Sequence, residues 1–393
     1  MRATGFRPFF FLAAVWGLCV VGLTALAAAG SPLAGQALPA NPFAWHGREM
    51  VFGYVPAVMA GFLLTAIPNW TGRLPLAGWR LWLLVGLWFG GRVAGWAGEW
   101  TGGACSGPGA AIPPAALVAA DLAFLTMLVL VVGRELVAGR NWRNLPVLAG
   151  VMVMLLALAL WHGSAASGAV PANVGLRLGL AAAAMMIALI GGRIVPSFTT
   201  NWLKGRGASG LPRPFGPYDR MVLLATGVAL AGWVIVPASA STMGLAALAA
   251  GLNIVRLARW RGAATAGEPL LWVLHLGYGW LVLALALIAL GAARPEAAPA
   301  AIHGLGAGAI ATMTLAMMSR ATLGHSGSPL TAGPLLTLVF VAVTAAALLR
   351  VTAALWPTGP ASLVTAAAVA WTLAFMGFLI ACGPLLLRLR AVG

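Results

Sequence analysis

The residues that could do chemistry are few. Five histidines, His46, His162, His275, His303 and His325, stand in a chain of 393 residues that carries only seven carboxylates. One of those carboxylates, Glu49, lies three positions after His46 at the head of a long apolar stretch, in Trp45-His46-Gly47-Arg48-Glu49-Met50-Val51-Phe52-Gly53. On a helix, His46, Glu49, Met50 and Gly53 share one face. An ionisable group near hydrocarbon is costly unless it has a partner or a task, so this face reads as a ligand or proton-relay face. The plainer reading is an interfacial His and Glu touching headgroups and water. Asp121, inside another apolar stretch, is a second proton-relay candidate. Neutral imidazoles in apolar surroundings are good donors to haem iron and to copper. Haem also needs a flat slot: Gly53, Ala57 and Ala60-Gly61 after His46, and Gly304, Gly306 and Gly308 after His303, are small enough to provide one. The same residues would serve close helix packing with no cofactor present. Arg193 and Arg320 suit an anionic group such as a haem propionate, because Arg forms bidentate pairs; for Arg193, topological anchoring explains the charge equally well. His162, in Trp161-His162-Gly163, reads as an interfacial residue, and Met313, Met317 and Met318 as core.

The elements that must position these groups follow from composition. The chain is 61% hydrophobic and 8% charged, with a mean hydropathy of +0.96. A soluble domain of this size would need a greasy exterior to match. The alternating ten-residue pattern of a barrel is missing, so the expected fold is all-α, a polytopic transmembrane bundle forming one domain over 1–393. Twelve spans are expected at approximately 9–30, 49–68, 77–97, 113–133, 145–163, 172–192, 219–238, 240–256, 269–290, 299–318, 332–354 and 362–386. The longest inner loop, about 193–219, carries Pro196, Pro212, Pro214 and Pro217 and is expected to lie along the membrane surface.

The formal net charge of +16 invites a nucleic-acid reading, which the positions of the charges reject. All 23 Lys and Arg except Arg48, Arg92, Arg177, Arg294 and Arg350 fall at one set of loops and ends, from Arg2 to Arg390, which is where they set topology. That bias places both termini in the cytoplasm. The opening residues read as a retained first helix with no cleavage site. Cys19, Cys105 and Cys382 are far apart and suggest no disulfide framework, zinc knuckle or covalently attached haem.

On this topology His46, Glu49 and His303, with His162 nearby, form an outer group. His275, Arg320 and His325, with Arg193 nearby, form an inner one; the 303–320 stretch alone is ~25 Å of helix. A faint echo also recurs every fourth span. Asn69-Trp70 closes the second span, Asn201-Trp202 the sixth, and Ser319-Arg320 the tenth, while His46, Arg177 and His303 stand at the opposite starts. Three four-helix units near 1–140, 141–262 and 263–393 would account for it.

Several of these strings together resemble the NnrS family of bacterial inner-membrane proteins. They are Arg7-Pro8-Phe9-Phe10, the Trp45–Gly53 run, Gly61-Phe62-Leu63-Leu64-Thr65-Ala66 into Asn69-Trp70-Thr71-Gly72, and Gly192-Arg193-Ile194-Val195-Pro196 with Phe198-Thr199. His275-Leu276-Gly277-Tyr278, His303 and the run from Met317 to Gly327 complete them. The resemblance implies a twelve-helix, haem- and copper-containing protein of the cytoplasmic (inner) membrane, tied to nitric oxide stress and denitrification. Arg48 stands where that family often carries a second histidine; if that residue is a ligand in relatives, one metal site is altered or missing here.

The expectation that follows is a haem b protein, with copper as a second cofactor, that protects against nitric oxide. His46 and His303 are its expected ligand pair, and His275 with His325 a second site beside Arg320. By fold analogy the three units would resemble haem-copper oxidase subunits. Three classes stay open: an oxidoreductase turning over nitric oxide with a quinol or other electron donor, a non-catalytic sensor or shield, and a proton-coupled transporter without cofactor.

Overall fold

The computed structural model describes residues 5–32, 38–39, 41–100, 113–167, 171 and 173–388; Arg2, Cys105 and Arg390 lie outside them. Among the described residues there are twelve long helices and no strand: α1 (Phe6–Ala28), α2 (Pro42–Thr71), α3 (Trp79–Trp100), α4 (Pro114–Ala138), α5 (Leu145–Ser167), α6 (Val174–Lys204), α7 (Pro217–Ile235), α8 (Ala240–Ala258), α9 (Pro269–Ala293), α10 (Pro295–Ser326), α11 (Pro334–Leu355) and α12 (Ser362–Leu387). The protein is a polytopic helical membrane protein. Eleven of these helices are long and apolar enough to cross a membrane. The other is α3, whose sequence holds Arg80, Arg92 and four tryptophans before residue 97.

Local chemistry sets many of the boundaries. Proline opens α2, α4, α7, α9, α10 and α11, where its missing N–H has no intrahelical partner to lose. Gly72 and Gly327, at φ +69° and +76°, close α2 and α10 in the left-handed conformation that only glycine adopts without strain. The largest departure from expectation is at 193–204. This stretch is not surface loop; it continues α6 through Pro196 to Lys204, and the loop shrinks to 205–216. An apolar span tolerates an internal proline because neighbouring groups satisfy the carbonyl it strands.

The contacts divide the chain into two compact units, 1–179 with 382–393, and 180–381. In the first, Phe9 and Phe10 of α1 lie against Gly61 of α2, where a Cβ would come within 2.6 Å of the Phe10 ring. Trp88 and Phe124 are buried in the same unit. In the second, α9 is the most enclosed helix, with Leu274, Tyr278, Leu281 and Leu285 fully buried.

Three helices share one irregularity. A wide π-helical segment interrupts α2 at Glu49–Tyr54, α6 at Ile187–Gly191 and α10 at Gly304–Ile310, so the period of four helices appears in the backbone itself. π segments cluster at functional positions, because they loosen the hydrogen-bond ladder and re-aim side chains.

Candidate functional site

The first π segment positions the most unusual group of side chains in the protein. Asn41 caps α2 by accepting the Ala44 N–H at 3.0 Å, and Pro42 starts the helix. Arg48 and Glu49 then meet the π segment, and both turn inward. Arg48, Glu49, Arg92 of α3 and Asp121 of α4 are each no more than 3% exposed. They close a ring. Arg48 Nη1 donates to Glu49 Oε1 at 2.5 Å and Nη2 to Asp121 Oδ2 at 2.6 Å. Arg92 Nη1 donates to Glu49 Oε2 at 2.8 Å and Nη2 to Asp121 Oδ1 at 2.6 Å. Each guanidinium bridges both carboxylates, and the four formal charges cancel. Trp16 of α1 donates to Glu49 Oε2 at 3.0 Å, and His162 of α5 shares a hydrogen bond with Asp121 Oδ2 at 2.9 Å.

Burying four charges is costly, and their mutual attraction offsets the cost only when geometry and hydrogen bonding are near complete. Glycines make that geometry possible. A Cβ on Gly95 would lie 2.2 Å from both terminal nitrogens of Arg48, and one on Gly53 would lie 2.7 Å from Glu49 Oε2 and 2.9 Å from Arg92 Nη1. Gly95→Ala is therefore expected to destabilise the protein by about 1–3 kcal/mol, the range for overpacking a filled interior. Thermal unfolding in detergent checks this; an unchanged midpoint would mean that the ring yields freely. Trp88 completes the arrangement by donating its indole N–H to the Gly53 carbonyl at 2.9 Å, inside the π segment.

The histidines stand as follows. His46 is half-buried on the first turns of α2. The slot expected below it is filled: Glu49, Trp16 and Arg92 crowd Gly53, the Phe10 ring occupies the space at Gly61, and Ala57 and Ala60 are fully buried. His303, before the third π segment, has its Nδ1 2.9 Å from the Pro299 carbonyl. A carbonyl can only accept, so Nδ1 is the donor of that bond. Gly304 and Gly308 are packed against Leu287 and the Trp280 ring, while Gly306 faces open space. His275 is buried, with Nε2 2.9 Å from Thr199 Oγ1, and that hydroxyl donates to the Val195 carbonyl. Among the described residues His275 Nδ1 has no hydrogen-bond partner, and it faces Gly262, where a Cβ would come within 2.8 Å. Arg320 stacks over Phe198 at 4.1 Å, Arg193 lies 5.8 Å from the Phe215 ring centre, and His325 is exposed on the last turn of α10. Among the described residues, no three His, Cys, Asp or Glu converge on a point where they could hold a metal ion.

A family model described as NnrS protein matches residues 1–390. The chain belongs to the NnrS family. No curated protein matches it.

In this NnrS-family chain the structure joins residues that sequence reasoning kept apart. Glu49 and Asp121, expected as two separate proton-relay candidates, belong to one ring. His162, expected at the interface, is the ring's half-exposed outer member. Arg48 and Arg92 were left over from the topological tally, and that was the available signal: a cation inside an apolar span requires a counter-ion. A second buried network was missed altogether. Arg256, counted with the topological positive charges, is fully buried on α8. Its Nε donates to Asp219 Oδ1 at 2.9 Å, and its Nη1 donates both to Tyr278 Oη at 2.8 Å and to the Ala188 carbonyl at 2.9 Å, inside the second π segment. Tyr278 donates to Asn253 Oδ1 at 2.6 Å, and Asn253 to Thr226 Oγ1 at 2.9 Å. The His275-Leu276-Gly277-Tyr278 string was read for its histidine; its tyrosine carries the network.

Proposed function

We propose that this membrane protein, linked through its family to the nitric oxide response, holds haem b at histidine and protects the cell by binding nitric oxide or turning it over at that centre. The observation that carries the reading is His303. Nδ1–H donates to the Pro299 carbonyl, which supports the neutral tautomer that would turn Nε2 toward iron, and the open space at Gly306 follows on the same helix. Haem would need one imidazole to hold it, which these residues supply. Copper normally asks for a set of converging donors, and no three-donor set is present among the described residues, so haem is the cofactor carried forward.

When bound, haem supplies the iron position at which nitric oxide coordinates. The chain's own residues do the rest. His303 Nε2 is the first ligand of the proposal, and His46, in the other unit, is a ligand candidate taken by itself. His275 commits Nε2 to Thr199 and would serve through Nδ1, which faces Gly262, and His325 is exposed. Arg320 and Arg193 are the cations proposed for propionates or other anions. The ring of Arg48, Glu49, Arg92 and Asp121 is closed, so a proton passing through Glu49 or Asp121 would require a salt bridge to open. His162 is its half-buried contact. The Arg distribution supports a cytoplasmic-membrane location with both termini inside.

The test is the absorption spectrum and metal content of detergent-purified protein, beside His303→Ala and His46→Ala. The wild type is expected to show a Soret band, and His303→Ala to lose or shift it while remaining folded by size-exclusion chromatography. A folded, colourless wild type would overturn the haem reading. It would favour a proton-coupled transporter instead, for which a neutral buried ion ring opening to a histidine is a known kind of machinery.

A further inference from the structure

We infer that the end of the first unit opposite His46 carries a binding site for an anionic phospholipid. From His46 to Thr71, α2 rises roughly 37 Å, so its two ends face opposite sides of the membrane. At the Thr71 end lies a cleft of about 680 Å³. Leu64, Ile67, Pro68 and Val131 floor it, and the loop between Gly72 and Gly78 forms its lip. This is the size of a small-molecule site, and its floor is apolar in the way an acyl chain requires.

The rim is cationic. Arg73, Arg80 and Arg134 line the cleft against a single carboxylate, Glu135. Arg73 Nε is held by Glu135 Oε2 at 2.5 Å, so that pair neutralises itself. Arg80 lies along the Trp79 ring at 5.6 Å, and among the described residues Arg134 makes no ion pair. Two guanidiniums are thus left at the mouth of a cleft whose floor is apolar. The mouth itself lies at headgroup depth: Leu74 is 91% exposed and Trp79 71% exposed beside it, which suits the interfacial belt and would be costly in open water. Basic pockets between transmembrane helices select anionic headgroups because phosphate pairs bidentately with Arg while the tail stays in hydrocarbon. The occupant is a phospholipid with its phosphodiester between Arg80 and Arg134. The inference is independent of haem.

The experiment is lipid binding to the full chain in detergent, read by native mass spectrometry and by the thermal midpoint. The probes are phosphatidylglycerol, phosphatidylcholine, a short-tail ubiquinone and inorganic phosphate. Phosphatidylglycerol is expected to bind at least tenfold more tightly than phosphatidylcholine. Arg80→Gln with Arg134→Gln is expected to abolish that preference, and Arg80→Lys with Arg134→Lys to restore most of it. Glu135→Gln frees Arg73 and is expected to tighten phosphatidylglycerol binding, a gain that misfolding could not imitate. Equal preference in the double glutamine variant and the wild type would overturn the proposal, as would weaker binding in Glu135→Gln. Full displacement by inorganic phosphate would identify a free-anion pocket, and equal occupation by the neutral quinone a site for tails alone; either sinks the phospholipid.

Discussion

Asp121→Ala is expected to destabilise the protein by about 3–5 kcal/mol, the range for removing one partner from a buried ion pair. The loss is large because Asp121 serves three groups. Both of its oxygens are engaged, with Arg48 and His162 on one and Arg92 on the other. Its removal leaves two guanidiniums facing one carboxylate in a dry interior. For a chain of this size the detergent melting midpoint should fall by about 4–6 °C. A second variant separates charge from packing. Arg92→Gln with Asp121→Asn removes one charge of each sign and keeps most of the volume, so it should cost less than the sum of its single substitutions, with a coupling of about 0.5–3 kcal/mol. If the two losses simply add, the ring is not an electrostatic unit. If Asp121→Ala melts with the wild type, the ring does not hold the first unit together.

The second large effect is expected from Arg256→Met in the other unit. This residue joins four elements: Asp219 at the start of α7, Tyr278 on α9, the π segment of α6, and its own α8. Met fills a similar space and donates nothing. Among the described residues Asp219 then keeps the Gly216 N–H at 3.0 Å and a distant Arg259, 4.0 Å away. The Ala188 carbonyl loses its donor where the π segment has already loosened the ladder. A loss of about 3–5 kcal/mol is again expected. Backbone exchange adds a readout that global stability does not: amide protection across 187–191 should fall more than protection in α11 or α12. Uniform loss of protection would mean that Arg256 supports the unit as a whole and does not brace the π segment.

These two residues also mark where reading along the chain stopped. Twelve helices were legible because each needs only a run of apolar residues long enough to cross hydrocarbon, and that is a local property. Proline starts and the Gly72 and Gly327 stops are local as well. The end of α6 was misplaced because Pro196 reads as a breaker, and nothing nearby in sequence says that an apolar span will absorb it. At the candidate site, Glu49 and Asp121 were visible as unusual residues, and His303 as a donor on a glycine-rich helix. The slot at His46 was misread, since small residues announce close approach without saying of what. At Gly61 the visitor is Phe10, and at Gly53 it is the ring.

What the sequence determined by itself, then, is the class of the protein: a many-span helical membrane protein of the NnrS family, with a handful of ionisable groups placed along its apolar spans. Hydrophobic length and charge bias are properties of single segments, so they survive without tertiary information. The pairing of those groups does not. Arg48 and Glu49 meet Arg92 and Asp121 only because α2, α3 and α4 pack at glycines that let guanidiniums through, and Arg256 reaches Ala188 only because Gly192 leaves it room. An ion pair in an apolar interior is a statement about distances between helices, and no single helix carries that distance in its own residues.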